Sequence, residues 1–176
     1  MDALRLFQVS KDGMECIMRF LISILFCVMT LPAIAESGAA IIGGIHVIDG
    51  ETLEIQNQRI KLWGVDAPDL NQTCKDGQGA GYDCGKEAAS ALSQWLTELQ
   101  PVRCEPRGND NSGNTIAICY TSTGDDIAGW MVRNGYAIDW PKYSNGFYGV
   151  PQKEARQNKN GIWQFNATTP WKLSEK

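Results

Sequence analysis

The sequence lacks the excess of positive charge that nucleic-acid-binding proteins usually carry. It has 16 Lys and Arg residues against 20 Asp and Glu residues, which gives a net charge of −4 at pH 7. Contact with phosphates and release of counterions supply most of the affinity of nonspecific nucleic-acid binding. The composition therefore argues against a tight nonspecific binder, although it leaves room for a local basic cleft.

The sequence also lacks internal repeats, low-complexity tracts and an apolar run long enough to predict a membrane span. Its first part, "RFLISILFCVMTLPAIAE", has a basic residue, an apolar run of about a dozen residues and a small-x-small end at Ala33–Ala35. This pattern predicts a signal peptide over residues 1–35, with a start at Met18 or Met14, and a single domain over residues 36–176. We expect an exported protein, periplasmic or secreted, and the alternative is an uncleaved anchor.

Histidine is nearly absent, since His46 is the only one in the chain. It stands among apolar residues of a predicted strand, which favours a packed or edge residue over a catalytic base. A histidine-based mechanism is therefore not indicated.

The cysteines lack any CxxC pair, which disfavours a zinc site. Export would remove Cys16 and Cys27 and leave Cys74, Cys84, Cys104 and Cys119. An even number in an oxidising compartment indicates two disulfides, with three possible pairings. The stretch "VRCEPRGNDNSGNTIAICY" favours one of them, because Cys104 and Cys119 lie equally far from its turn and face each other in a hairpin. Cys74 then pairs with Cys84.

Short strands and helices alternate along the rest of the chain. "AAIIGGIHVIDG" and "ETLEIQNQ" predict strands joined at Asp49–Gly50, and "QRIKLWGV" predicts a third strand. Helices are predicted in "GKEAASALSQWLTELQ", "DDIAGWMVRNGYA" and "PQKEARQNKNGIW", and the Cys104–Cys119 hairpin follows the first of them. This order predicts an α+β, mainly β fold, a five-stranded antiparallel OB-fold barrel with three helices.

Six segments in order resemble the staphylococcal nuclease (thermonuclease) family over residues 45–163. They are "VIDGETL", "RIKLWGVDAPD", "CGKEAASAL", "NDNSGNTIAICY", "MVRNGYA" and "EARQNKNGIW". The resemblance implies an OB-fold barrel with three helices. In the active members it implies a calcium-dependent phosphodiesterase that cuts DNA and RNA, with single-stranded nucleic acid or nucleotides as partners.

The resemblance also assigns site residues, most of them altered from the active pattern. Glu51 and Asp66 match the two calcium ligands, although the family has Asp at the first position. Asp69 stands where the family has the Glu that handles water. Lys61 and Asn114 stand where it has two Arg residues that bind the phosphate. Calcium prefers carboxylate oxygens, and cations stabilise charge that develops on the phosphate.

Three further residues are candidates for substrate binding. Arg59 lies two residues before Lys61 and shares its face of the predicted strand. Tyr143 and Tyr148 lie in the loop-rich "PKYSNGFYG" and offer rings that can stack on a base or sugar. The alternative for all three is a solvated or packing residue.

Three functions stay open from the sequence, and the third of them is an envelope protein that assembles through its aromatic C-terminal part. The first is an exported nuclease whose rate is weakened or lost. The second is a non-catalytic, monomeric envelope protein that binds a partner, with exopolysaccharide (succinoglycan) production as a context that the resemblance suggests. The loss of charge at Asn114 and the net acidity favour the second.

Overall fold

The computed structural model describes residues 38–165. The predicted signal peptide over residues 1–35 lies outside this range. Within the range, no helix is long and apolar enough to cross a membrane.

Within residues 38–165, ten short strands form one six-stranded sheet and two small ribbons. The large sheet has the order β1-β8-β9-β4-β3-β2. β5 pairs with β10, and β6 pairs with β7. The strands are β1 Ile41–Gly43, β2 Ile45–Val47, β3 Thr52–Ile55, β4 Gln58–Leu62, β5 Val65–Asp66, β6 Cys74–Lys75, β7 Gly81–Tyr82, β8 Val102–Asn109, β9 Thr115–Tyr120 and β10 Ile138–Asp139.

The two outermost strands of the sheet belong to one stretch of chain. Only Gly44 separates β1 from β2, yet β1 pairs with β8 and β2 pairs with β3. The sheet therefore returns on itself as a small barrel of the OB type, in which β1 and β2 are two halves of one strand. This agrees with the five predicted strands, and the break at Gly44 explains the count of six.

One pairing differs from the antiparallel barrel predicted from the sequence. β4 and β9 are parallel, with Ile60 opposite Thr115 and Leu62 opposite Ala117. The connection between them contains a long helix and β8, so the chain can enter β9 in the direction in which it left β4. This parallel pair brings the β8–β9 turn beside β4.

The three predicted helices are present, together with one short addition. The four α-helices of the described part of the chain are α1 Cys84–Leu96, α2 Ile127–Arg133, α3 Pro141–Ser144 and α4 Gly149–Asn158, and a 3₁₀ helix covers Gly161–Phe165. The added helix, α3, is a single turn that starts at a proline, where the missing N–H costs nothing. α4 ends before the predicted stop, because Lys159 adopts the left-handed conformation at φ 55°.

A single main core lies between the barrel and helices α1 and α2. Leu53, Ile60 and Val102 of the sheet are fully buried against Leu92 and Leu96 of α1. The helical spacing read from the sequence thus faces the core, and each buried leucine contributes about 1.5–3 kcal/mol of hydrophobic free energy. This packing fixes α1 against the turn that follows β2.

Both predicted disulfides are present. Cys104 lies opposite Cys119 in the β8–β9 hairpin and bonds to it. Cys74 bonds to Cys84, the first residue of α1, and closes the loop between them. These four cysteines are therefore not available as zinc ligands.

Candidate active site

The site forms where β3 begins and β4 ends. Lys61 is opposite Thr52, so the residue before Thr52, Glu51, comes within reach of the lysine side chain. The Nζ atom of Lys61 lies 2.8 Å from Oε1 of Glu51. The backbone N–H of Leu62 donates to the carbonyl of Glu51 at 2.8 Å, which holds the two strands together at this point.

Glu51 also reaches the segment that carries Asp66. The backbone N–H of Ala67 donates to Oε2 of Glu51 at 3.1 Å. Asp66 lies on β5 opposite Ile138 of β10, and its exposed fraction is 2%. The Glu51 carboxylate is therefore bonded to the residue that follows Asp66 in the chain.

Gly50 allows this approach. A β-carbon at this position would lie 2.9 Å from the β-carbon of Ala67 and 3.0 Å from that of Ala88 in α1. Gly50 therefore does more than form the turn between β2 and β3, because its lack of a side chain lets the turn pack closely against both neighbouring segments. Asp49 fixes the same turn, since its Oδ1 accepts the N–H of Glu51 at 2.9 Å.

Lys61 is held in its charged form. Burial lowers the pKa of Lys61, but the carboxylates of Glu51, Asp49 and Asp110 together outweigh burial and raise it above its ordinary value. The lysine therefore remains a cation at neutral pH, although Glu51 neutralises part of its field.

Asp69 lies in the exposed loop after Pro68. Its backbone N–H donates to Oε1 of Gln72 at 3.1 Å, and its carbonyl accepts the N–H of Gln72 at 2.7 Å. The loop is ordered by these bonds and by α1, whose Gly85 packs directly on the Asp69 carbonyl. The carboxylate that was predicted to handle water is thus presented to solvent from a fixed backbone.

Asn114 is bound by a neighbouring carboxylate in the β8–β9 turn. Its side-chain Nδ2 donates to Oδ2 of Asp110 at 2.8 Å, and its backbone N–H donates to Oδ1 at 2.9 Å. The side-chain bond from Asn114 is the main reason that the pKa of Asp110 lies below its ordinary value. The turn therefore brings a negative charge, Asp110, into the field of Lys61.

Two parts of this arrangement were not predicted from the sequence. One is Asp110, and the other is the backbone N–H of Ala67. A signal for the first was present, because Asp and Asn side chains fold back on turns of their own chain and "DNSGN" has an Asp at its first position. The second depends on packing between distant segments and leaves no local pattern.

Of the predicted substrate-binding residues, Arg59 and Tyr143 are exposed. Arg59 of β4 lies opposite Glu54 of β3, and it is on the same face of β4 as Lys61. The ring of Tyr143 meets Trp140 edge-on at 4.5 Å between centroids and has Nζ of Lys142 5.3 Å from its centre.

The structure corrects the expectation for Tyr148. Its exposed fraction is 1%, its ring packs 6.2 Å from that of Trp63, and its hydroxyl lies 3.4 Å from Oδ1 of Asp126. The ring is part of the core, and the residue also lines a cavity together with Asp126 and Phe147. A loop-rich sequence suggested exposure, but the loop folds back over the barrel.

The donor atoms fit calcium in part. Glu51 and Asp66 offer two carboxylates, and calcium accepts six to eight oxygens that include carbonyls and water. Within residues 38–165, no group of three or more His, Cys, Asp or Glu side chains could hold a metal ion. The pair can therefore supply a minority of the ligands, and the rest must come from backbone, water or the substrate.

Glu51 and Asp66 are both buried, and Lys61 pairs with Glu51 where β3 begins and β4 ends in an OB-type barrel. The chain belongs to the staphylococcal nuclease homologue family, whose model matches residues 59–165. This range contains Lys61, Asp66 and Asn114, whereas Glu51 lies before it. Membership of this family supports a function of nuclease type and binding of nucleic acid.

Several curated proteins are similar over most of this domain. The succinoglycan biosynthesis protein ExoI of Rhizobium meliloti (strain 1021) is 43% identical over 131 residues, which cover 73% of this chain and 69% of that protein. An uncharacterized endonuclease of Escherichia coli O157:H7 is 29% identical over 133 residues, 72% of this chain and 80% of that one. Endonuclease YhcR of Bacillus subtilis (strain 168) is 27% identical over 135 residues, 69% of this chain but 11% of that protein.

Proposed function

We propose that this chain is an exported phosphodiesterase that cleaves DNA and RNA with the help of calcium, at a rate below that of a complete nuclease site. The observation that carries the proposal is the contact set of Glu51, which joins Lys61 at 2.8 Å and the N–H of Ala67, beside Asp66, at 3.1 Å. Two carboxylates and one cation at a single edge match what phosphodiester cleavage requires.

Glu51 and Asp66 are the residues that would hold calcium. A bound calcium ion would supply positive charge for the phosphate oxygens. Both oxygens of Glu51 already accept a hydrogen bond, which fixes the orientation of this carboxylate.

The other candidate residues have separate roles in binding the phosphate and the attacking water. Lys61 binds a phosphate oxygen as a point charge, without the two-pronged contact that an arginine makes. Asp69 accepts a proton from, or orients, the attacking water. Asn114 offers an N–H donor in place of a cation, and Arg59 extends the positive face along β4.

The expected rate is low because several of these groups depart from the pattern of active members. Loss of one donor that stabilises the transition state typically costs ~10²–10³ in rate. Lys61 keeps the positive charge of the arginine that it replaces but lacks the two-pronged contact. Asn114 lacks the charge of the arginine that it replaces. The Asp110 carboxylate beside Asn114 adds repulsion for a phosphate.

The test is cleavage of heat-denatured DNA by the exported, oxidised protein, with calcium and with a chelator. We expect calcium-dependent cutting that Asp66→Ala abolishes. Glu98→Gln, an exposed change outside the site, serves as a control and should cut like the native protein. Cutting that survives Asp66→Ala unchanged would remove this proposal.

A second function is favoured by a different observation. The position of the phosphate-binding arginine is taken by Asn114, which is bound to an anionic Asp110, and this suits a member that binds without cleaving. The relative named for succinoglycan biosynthesis suggests an envelope role connected with exopolysaccharide. In this proposal the chain is a monomeric binding module.

A repaired variant separates the two functions. It carries Glu51→Asp, Lys61→Arg, Asp69→Glu and Asn114→Arg. Cleavage by the repaired protein alone means that the fold is intact and that native chemistry has been lost. Calorimetry with calcium and a nucleoside bisphosphate gives the second readout, because a working site binds both and a module built for another partner binds neither.

Export is a proposal supported by two features. The first is the signal-peptide pattern of residues 1–35. The second is the presence of two disulfides, which persist in oxidising compartments. Appearance of a shortened chain in the periplasm or medium, with its start at residue 36, is the result that supports it.

A further inference from the structure

A cavity lies beside Pro68, which follows Asp66 by two residues in the chain. Its volume is about 210 Å³. It is walled by the disulfide loop, the first turn of α1, the chain after α2 and the 3₁₀ helix. The lining residues are Pro68, Asp76, Tyr82, Cys84, Glu87, Gly135, Tyr136, Gly161, Ile162 and Gln164.

The chemistry of this lining is distinctive. Two acidic residues, Asp76 and Glu87, and two tyrosines, Tyr82 and Tyr136, line the same space, and no lysine or arginine is among the described residues that line it. Burial raises the pKa of the Tyr82 hydroxyl, and the nearby charges of Glu87 and Asp76 raise it further. The residues that line the cavity therefore carry a net negative charge, which disfavours a phosphate ligand.

The walls are held in place before any ligand arrives. Asp76 accepts the backbone N–H groups of Gln78 and Ala80 at 2.9 and 2.8 Å, and the Cys74–Cys84 disulfide closes this loop. The ring of Tyr136 stacks on that of Trp130 at 5.9 Å, and Trp130 stacks on Trp95 at 4.2 Å. A preformed site loses less entropy when it binds.

Two backbone segments form another wall of the cavity. A β-carbon on Gly135 would lie 2.2 Å from the carbonyl oxygen of Asn160, and one on Gly161 would lie 2.3 Å from the carbonyl oxygen of Gly135. The two glycines pack backbone against backbone, which leaves no room for a side chain at either position. The space that remains is small and suits a compact ligand.

We propose that this cavity binds a small organic cation of the alkylammonium class, held by the Asp76 and Glu87 carboxylates and by the faces of Tyr82 and Tyr136. Aromatic rings attract cations through their negative faces, most strongly where water is excluded, and carboxylates supply the opposite charge. The charge of the cavity makes it a separate site from the phosphodiesterase edge.

The test is calorimetry on the exported, oxidised protein with choline, and with 3,3-dimethylbutan-1-ol as an uncharged molecule of the same shape. We expect saturable binding of choline to one site and affinity for the alcohol lower by on the order of tenfold. The ring resonances of Tyr82 and Tyr136 should shift with choline in a nuclear magnetic resonance titration.

Matched variants locate the binding. Glu87→Gln should lower the affinity for choline by on the order of tenfold. Glu98→Gln, at another exposed glutamate near the end of α1, should leave this affinity unchanged. Tyr82→Phe keeps the ring and should keep most of the affinity, whereas Tyr82→Leu should lose it. Because Tyr82→Leu can disturb the loop, Glu87→Gln and Tyr82→Phe are the decisive pair.

Three outcomes overturn the proposal. Equal affinity for choline and the alcohol means an apolar cavity without charge recognition. Equal loss in Glu87→Gln and Glu98→Gln means a general effect of net charge. Binding of calcium at Glu87 with no binding of choline means a metal site, which this proposal excludes.

Discussion

Gly85, near the start of α1, packs on the backbone of Asp69 so closely that a β-carbon on Gly85 would lie 1.8 Å from the Asp69 carbonyl oxygen. The helix and the loop that carries a candidate catalytic carboxylate are therefore one packed unit. The backbone N–H of Gly85 also donates to the carbonyl of Gln72 at 3.3 Å. Every other residue type at position 85 must push this loop away.

Gly85→Ala is expected to destabilise the fold by about 3 kcal/mol, because backbone atoms and not flexible side chains occupy the space. Urea denaturation measures the change. Gly149→Ala is the matched control, since its β-carbon would meet only Oδ2 of Asp139 at 3.9 Å. A loss of stability in the control as large as that in Gly85→Ala would contradict the packing argument.

The Glu51–Lys61 pair should show measurable coupling in stability. The side chains are 9% and 25% exposed, so the pair lies between a surface and a buried ion pair. We expect a coupling free energy of about 1 kcal/mol in a double-mutant cycle of Glu51→Gln and Lys61→Met. The exposed Lys86–Asp83 pair, 61% exposed on both sides, should show no measurable coupling.

The stability that charged Lys61 contributes should decrease at high pH. The folded pKa of Lys61 is raised above its ordinary value of 10.5, so its protonated form stabilises the fold. This stability is fully present below pH 10.5 and is lost as pH rises through the folded pKa. The difference in unfolding free energy between the native protein and Lys61→Met should therefore shrink above that pH, and a difference that grows there would refute the interaction.

Asn114→Ala should raise the pKa of Asp110 towards its ordinary value of 3.8, because the Asn114 side chain is the largest cause of the shift. The stability from this bond is present above pH 3.8 and is lost as pH falls through the folded pKa. A carboxylate titration by nuclear magnetic resonance measures the change. Asn111→Ala, in the same turn, should leave the Asp110 pKa in place.

Removal of the Cys104–Cys119 disulfide should cost about 3 kcal/mol, as expected for a crosslink across 15 residues. Both cysteines are fully buried in the sheet, so replacement by alanine keeps the environment apolar. Chemical denaturation of the Cys104→Ala, Cys119→Ala double variant gives the value. Removal of Cys74 and Cys84, separated by 10 residues, should cost less but should disturb the loop of Asp69.

The sequence predicted those parts of the fold that depend on local patterns. The Asp49–Gly50 turn, the apolar face of α1 and the pairing of Cys104 with Cys119 each follow from residues that are close in the chain. The parallel β4–β9 pair did not follow, because nothing within either strand encodes its direction. That direction is set by the long connection that contains α1 and β8.

The sequence predicted which residues belong to the candidate site, but it did not predict which of them are in contact. Lys61 and Glu51 lie ten residues apart on neighbouring strands, and the register that joins them is a tertiary property. The burial of Tyr148 likewise depends on how its loop packs on Trp63. Asp110 has its effect through the β8–β9 turn, which reaches Lys61 only because β9 lies beside β4.

The two end strands of the large sheet, β1 and β2, are each only three residues long. Side chains cover part of even these edges, since Oε1 of Gln100 accepts the N–H of Ile45 at 2.9 Å and Nε2 of Gln56 donates to the carbonyl of Ile42 at 3.2 Å. A second molecule therefore finds little backbone on which to add a strand. The break at Gly44 thus limits strand addition by a second molecule at the two strands where the sheet closes.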